Sequence, residues 1–74
     1  MVSNLALQAE SNFLDKILET FKIKDLDKKD YELNNITSNF LSLIYFLLKF
    51  ELINEFDYEY LFRKSNSVKK IMEL

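Results

Sequence analysis

The chain of 74 residues contains no glycine, no proline, no cysteine, no histidine and no tryptophan. Each absence removes a class of structure or chemistry. Tight hairpins draw on glycine, asparagine and proline for their special backbone angles, so a glycine- and proline-free chain of this size reads as helices joined by Asn, Asp and Ser turns. Without cysteine there is no disulfide and no thiolate zinc site, which suits a reducing compartment such as the cytoplasm. Without histidine the chain lacks the commonest metal ligand and the commonest general base. Charge of one sign is also scarce. The net charge is −2, and residues 38–74 carry five basic and five acidic side chains, so neither half presents a broadly basic surface for phosphate backbones.

Long apolar runs are missing too. The longest, Leu43–Leu48, is followed by Lys49 and Glu51, far short of the ~20 apolar residues that a membrane span requires. No charged-then-apolar leader with a small-residue cleavage site is visible, so no secretory signal is expected.

What the chain does have is 49% hydrophobic and 15% aromatic residues, enough to give one small domain over residues 1–74 a thin core. Residues 36–53 are the most apolar stretch. At 100° per residue, Leu33, Ile36, Phe40, Leu43, Ile44, Leu47 and Phe50 form one stripe. Leu41, Leu48 and Leu52 form a second, with Tyr45 at its edge. Two stripes predict a helix that packs on two sides at once.

The first helix is expected over residues 3–22, capped by Ser3 or Asn4, with Ala6, Phe13, Leu14, Ile17, Leu18 and Phe21 facing the core. A second is expected over 28–52, capped by Asp27 with Leu26 stapled on Tyr31, and unbroken through Thr37 and Ser38. A third is expected over 55–72. Its start repeats the same grammar: Ile53 as staple, Asn54 as cap, Asp57 at the third position and Tyr58 as staple partner. Leu61, Phe62, Val68 and Met72 share a face with Tyr58, and Ser65 falls among them. The predicted fold is all-α, a three-helix bundle running up, down, up, with the middle helix central.

Chemistry is hard to place on this chain. Asp25, Asp27, Asp30 and Glu32 gather carboxylates, but without the glycine and the ligand spacing of a calcium loop, so capping explains them and no metal is expected. No serine or threonine has a histidine or cysteine companion, and Asp57 and Glu59 fall on different sides of a helix. Neither an enzyme nor a cofactor is expected. Arg63, Lys64, Lys69 and Lys70 form the one basic cluster, offset by Glu55, Asp57 and Glu59. It complements the negative end of the third helix, and a nucleic-acid role is the second choice.

The residues left over once the bundle is filled are Phe46, on the polar side of the second helix, and Phe56, Tyr60 and Ile71 beside Arg63 on the third. Aromatics and arginine are enriched where proteins bind one another. The chain is therefore read as a non-enzymatic helical interaction module, such as the inhibitors and adaptors that phages and mobile elements encode. Phe46, Phe56, Tyr60, Arg63 and Ile71 would meet another protein or a second copy of the chain.

Overall fold

Three capping groups decide where the helices begin. The Ser3 hydroxyl accepts from the Ala6 N–H at 3.2 Å. Asp25 accepts from the N–H groups of Asp27 and Lys28 at 3.0 and 3.2 Å. Asn54 Oδ1 accepts from the Asp57 N–H at 2.8 Å. Each satisfies donors that the first turn of a helix leaves free. The computed structural model, which describes residues 1–72 and only the backbone at Met72, accordingly has helices α1 (Asn4–Thr20), α2 (Leu26–Lys49) and α3 (Glu55–Met72). No strand occurs among the described residues.

The bundle is as expected: α2 packs on both other helices, and α1 and α3 touch each other least. α2 is unbroken through Thr37, whose hydroxyl turns back on the Leu33 carbonyl at 2.9 Å. Its 24 residues extend about 36 Å at 1.5 Å per residue, close to the 39 Å long axis of the molecule. The core joins Ala6, Ala9, Phe13 and Ile17 of α1 to Leu33, Phe40, Ile44 and Leu47 of α2, with Ile53 and Leu61 closing the third side. Leu41 and Leu48, from the second stripe, are half-buried against it.

Four expectations need correction. First, α2 is capped by Asp25, not Asp27, because Asp25 reaches two first-turn donors at once. Leu26 thereby becomes the first helical residue, and neither it nor Tyr31 is covered. Second, α2 stops at Lys49, so Phe50 and Leu52 lie beyond it and are exposed, and Leu43 of the expected first stripe is exposed as well. Third, Leu14, Leu18 and Phe21 point outward, and the buried stripe of α1 is Ala6, Ala9, Phe13, Ile17 and Thr20. The Phe13 ring stacks on Phe40 and the two alanines allow close approach, so the face one residue away turns out. Fourth, α3 keeps most of its expected face, with Leu61 and Ser65 buried and Tyr58 and Val68 packed against the core, but Phe62 is exposed and Asp57 is buried instead. The expected burial of Met72 lies outside the described side chains.

The end of α2 shows what a glycine-free chain does at a helix stop. The Glu51 N–H bonds the Leu48 carbonyl at 3.0 Å and the Leu52 N–H bonds the Leu47 carbonyl at 2.9 Å. This is the Schellman pattern, which asks for a left-handed residue, usually glycine. Here Glu51 takes that conformation, with φ 60°. A Cβ in this region costs about 1–2 kcal/mol, part of which glycine gives back as unfolded-chain entropy. Glu51→Gly is therefore expected to stabilise the fold by about 0.5–1 kcal/mol, read as a Tm higher by roughly 2–8 °C in thermal unfolding.

Ser65 is the reverse case. Its hydroxyl is fully enclosed and its Oγ finds no hydrogen-bond partner. An unsatisfied buried polar group costs about 1–3 kcal/mol, and alanine also fits a helix interior better. Ser65→Ala should stabilise by about 1–2 kcal/mol, seen as a higher urea midpoint at unchanged slope.

Candidate binding site

The outer face of α3 carries the most distinctive surface. Phe56, Tyr60, Arg63 and Ser67 are three or four residues apart, so they line up along the helix. With Glu59 and Lys64 they line a shallow groove of about 300 Å³. Phe56 is exposed; Tyr60, expected to be left over from the core, is half-buried and packs against it at the edge of the groove, because this edge of α3 turns toward α1.

The charges around the groove are arranged in pairs. Arg63 donates to Glu59 Oε1 at 2.6 Å, one helical turn back, with both side chains mostly in solvent. Such a pair is worth only about 0.3–0.5 kcal/mol, so a partner can open it at little cost. On the inner edge, Glu10 of α1 lies 3.8 Å from the Lys64 ammonium, which in turn sits over the Tyr60 ring, 5.4 Å from its centroid. The Glu10 carboxylate also faces the Tyr60 hydroxyl, and its hydrogen-bonding pull, with partial desolvation and its charge, holds the phenol's pKa above the ordinary tyrosine value. Glu10, Tyr60 and Lys64 thus form one cluster between α1 and α3. One face of the tyrosine ring is covered by the Lys64 ammonium.

Of the five residues singled out from the sequence, the structure brings Phe56, Tyr60 and Arg63 to one groove. Ile71 lies further along α3 and is exposed. Phe46 is on α2, where its ring meets Phe50 with centroids 4.5 Å apart, away from that groove. Glu10 went unnoticed in the sequence. It sits in α1, 50 positions from Tyr60, and nothing local marks it.

Among the described residues no three His, Cys, Asp or Glu side chains are gathered to hold a metal ion, and Asp25 is committed to capping. No described helix is long and apolar enough to cross a membrane. Comparison of the chain with protein-family models, with curated proteins and with solved structures finds no match.

Proposed function

We propose that this chain is a non-enzymatic protein-interaction module, acting as an inhibitor or adaptor of a larger protein through the outer face of α3. The observation that carries this reading is the alignment of Phe56, Tyr60 and Arg63 on one groove. A partly exposed aromatic pair beside an arginine is the composition of interface hot spots, where rigid rings supply contact area and the guanidinium supplies a directed polar contact. Core packing and Lys64 over its ring restrain Tyr60 before any partner arrives, which lowers the ordering cost of binding. Phe46 and Ile71 stand outside this groove and would contribute only to a partner that extends beyond it.

A nucleic-acid role is less well supported. Two of the four basic side chains of α3 are already matched, Arg63 by Glu59 and Lys64 by Glu10. Phosphate contacts would have to displace those carboxylates.

The test is capture from a lysate of the source cell with the intact chain and with the Phe56→Lys/Tyr60→Lys variant, whose circular dichroism is first matched to the parent. The expected result is one protein retained by the parent and lost by the variant, cross-linked through lysines of α3. Equal retention by both removes the aromatic face from the function. Retention of nucleic acid that falls steeply with salt would instead favour the second reading.

A further inference from the structure

We infer that two copies of this chain pair through the outer faces of α3, antiparallel about a two-fold axis near Arg63. The inference rests on the reading of that face as a protein-binding surface and names its first partner, a second copy. A larger target would compete for the same face.

Three features of α3 point to self-complementarity. The first is spacing. Phe56, Tyr60, Arg63, Ser67 and Ile71 follow at intervals of four, three, four and four residues, a seam suited to packing along another helix. The second is size along the seam. A two-fold axis near Arg63 brings Phe56 of one copy level with Ile71 of the other, and Tyr60 level with Ser67. A large ring then meets a small side chain, and the exposed isoleucine is covered by an exposed phenylalanine.

The third feature is charge. The exposed acids of α3, Glu55 and Glu59, lie in its first half, and Lys69 and Lys70 lie in its last turn. A parallel pair would set like charges side by side. An antiparallel pair sets acid against base twice. Glu59 and Lys70 lie on the same rim of the seam, only 20° apart at 100° per residue, and a two-fold axis makes that rim face itself. Glu59 of each copy then reaches Lys70 of the other. The central cations do not oppose this, because Glu59 neutralises Arg63 and Glu10 neutralises Lys64 within each copy. Two other exposed apolar strips exist, Leu43–Phe46–Phe50 on α2 and Leu7–Leu14–Leu18 on α1. Neither shows this segregation of charge along its length.

α3 is about 27 Å long, so a single-helix seam falls short of the ~800 Å² per partner of a standard interface, and the dimer should be weak and concentration-dependent. Sedimentation equilibrium of the full chain from about 10 μM to 1 mM, a range chosen for such weak association, should show the mass rising from 8.9 kDa toward twice that value. Phe56→Lys should abolish the rise, with circular dichroism confirming the fold. Ile71→Lys, at the other end of the seam, should do the same and serves if the first variant does not fold. Lys70→Glu should weaken association about tenfold or more, because it sets a carboxylate against Glu59 of the other copy at both ends of the seam, while Lys69→Glu, the same charge change off that rim, should alter it far less.

A chain that stays at 8.9 kDa throughout overturns the inference. So does a dimer that survives Phe56→Lys but is lost on Phe46→Lys, or one that Lys70→Glu weakens no more than Lys69→Glu. A monomeric chain that still captures a protein through Phe56 and Tyr60 overturns the self-pairing and leaves the binding role intact. A dimer whose α3 variants leave capture unchanged has the opposite meaning.

Discussion

Alanine in place of Phe13 or Phe40 is expected to leave the chain largely unfolded at room temperature. The two rings stack across the α1–α2 interface with centroids 4.1 Å apart and planes within 14°. Both are buried, and they are the two aromatic rings in a core of ten hydrophobic side chains among the described residues, two of which are alanines. Truncating a buried phenylalanine costs about 3–5 kcal/mol, because the vacated volume is only partly refilled. A domain of this size rarely holds more than about 3–5 kcal/mol in total. The loss therefore consumes all or nearly all of the margin. Far-UV circular dichroism should show most of the helix signal gone, and its return as trimethylamine N-oxide is added would identify the loss as thermodynamic. Leucine at either position should be milder, since it keeps most of the volume, and it allows a double-mutant cycle. The coupling between positions 13 and 40 should reach about 0.5–1.5 kcal/mol, the excess an aromatic pair contributes beyond burial. Additive losses would mean that the stack is ordinary packing. A fully helical Phe13→Ala chain with an unchanged urea midpoint would mean that the core is not centred on this pair.

The helices were legible because their causes are local. The apolar spacing of residues 33–48 marks α2, and Asn54 three residues before Asp57 marks the start of α3. The same grammar around Asp27 misled, and the contrast is instructive. Ile53 is buried, with its N–H directed at the Leu47 carbonyl, so the end of α2 holds it where a staple must be. Leu26 has no such cover, and Asp25 captures the first turn instead. The identity of the core face was not local. α1 carries two apolar stripes offset by one residue, Phe13–Ile17 and Leu14–Leu18, and periodicity describes both equally well. The choice falls to what stands opposite: Phe40 for the first stripe, and for the second nothing but solvent.

The candidate site divides in the same way. Phe56, Tyr60 and Arg63 sit on one helix, so their common face could be read from spacing. Phe46 belongs to another helix, and its distance from them depends on how α2 is rotated. Glu10 contributes through a contact between α1 and α3 that no local pattern announces. Asp57 was legible as a helix-start residue and illegible as a tie between helices, because its partner lies 54 positions away.

That tie should carry the second-largest effect among the substitutions considered. Asp57 is 1% exposed, the most enclosed charged side chain among the described residues. α1 and α3 run parallel, so both N-termini meet at one end of the bundle. Asp57, at the third position of α3, accepts from the Ser3 N–H at 3.1 Å, and Ser3 is itself the cap of α1. One carboxylate thus answers the positive ends of two helices, each interaction worth about 0.3–1 kcal/mol. It also satisfies the half-buried Ser3 donor. Asp57→Ala is expected to cost about 2–3 kcal/mol, since it removes a charge-assisted bond and strands the Ser3 N–H. Asp57→Asn keeps an acceptor but not the charge, and should cost about 1–2 kcal/mol. Position 3 separates the bridge from the cap. Ser3→Ala loses the hydroxyl that caps Ala6 and keeps the N–H. Ser3→Pro loses both, at a backbone φ of −69° that proline adopts without strain. The proline variant should therefore be less stable than the alanine variant by about 1–2 kcal/mol in urea unfolding, even though proline lowers the entropy of the unfolded chain. Equal stability of the two would mean that the Ser3 N–H contributes nothing and that α1 is held at this end by apolar packing alone.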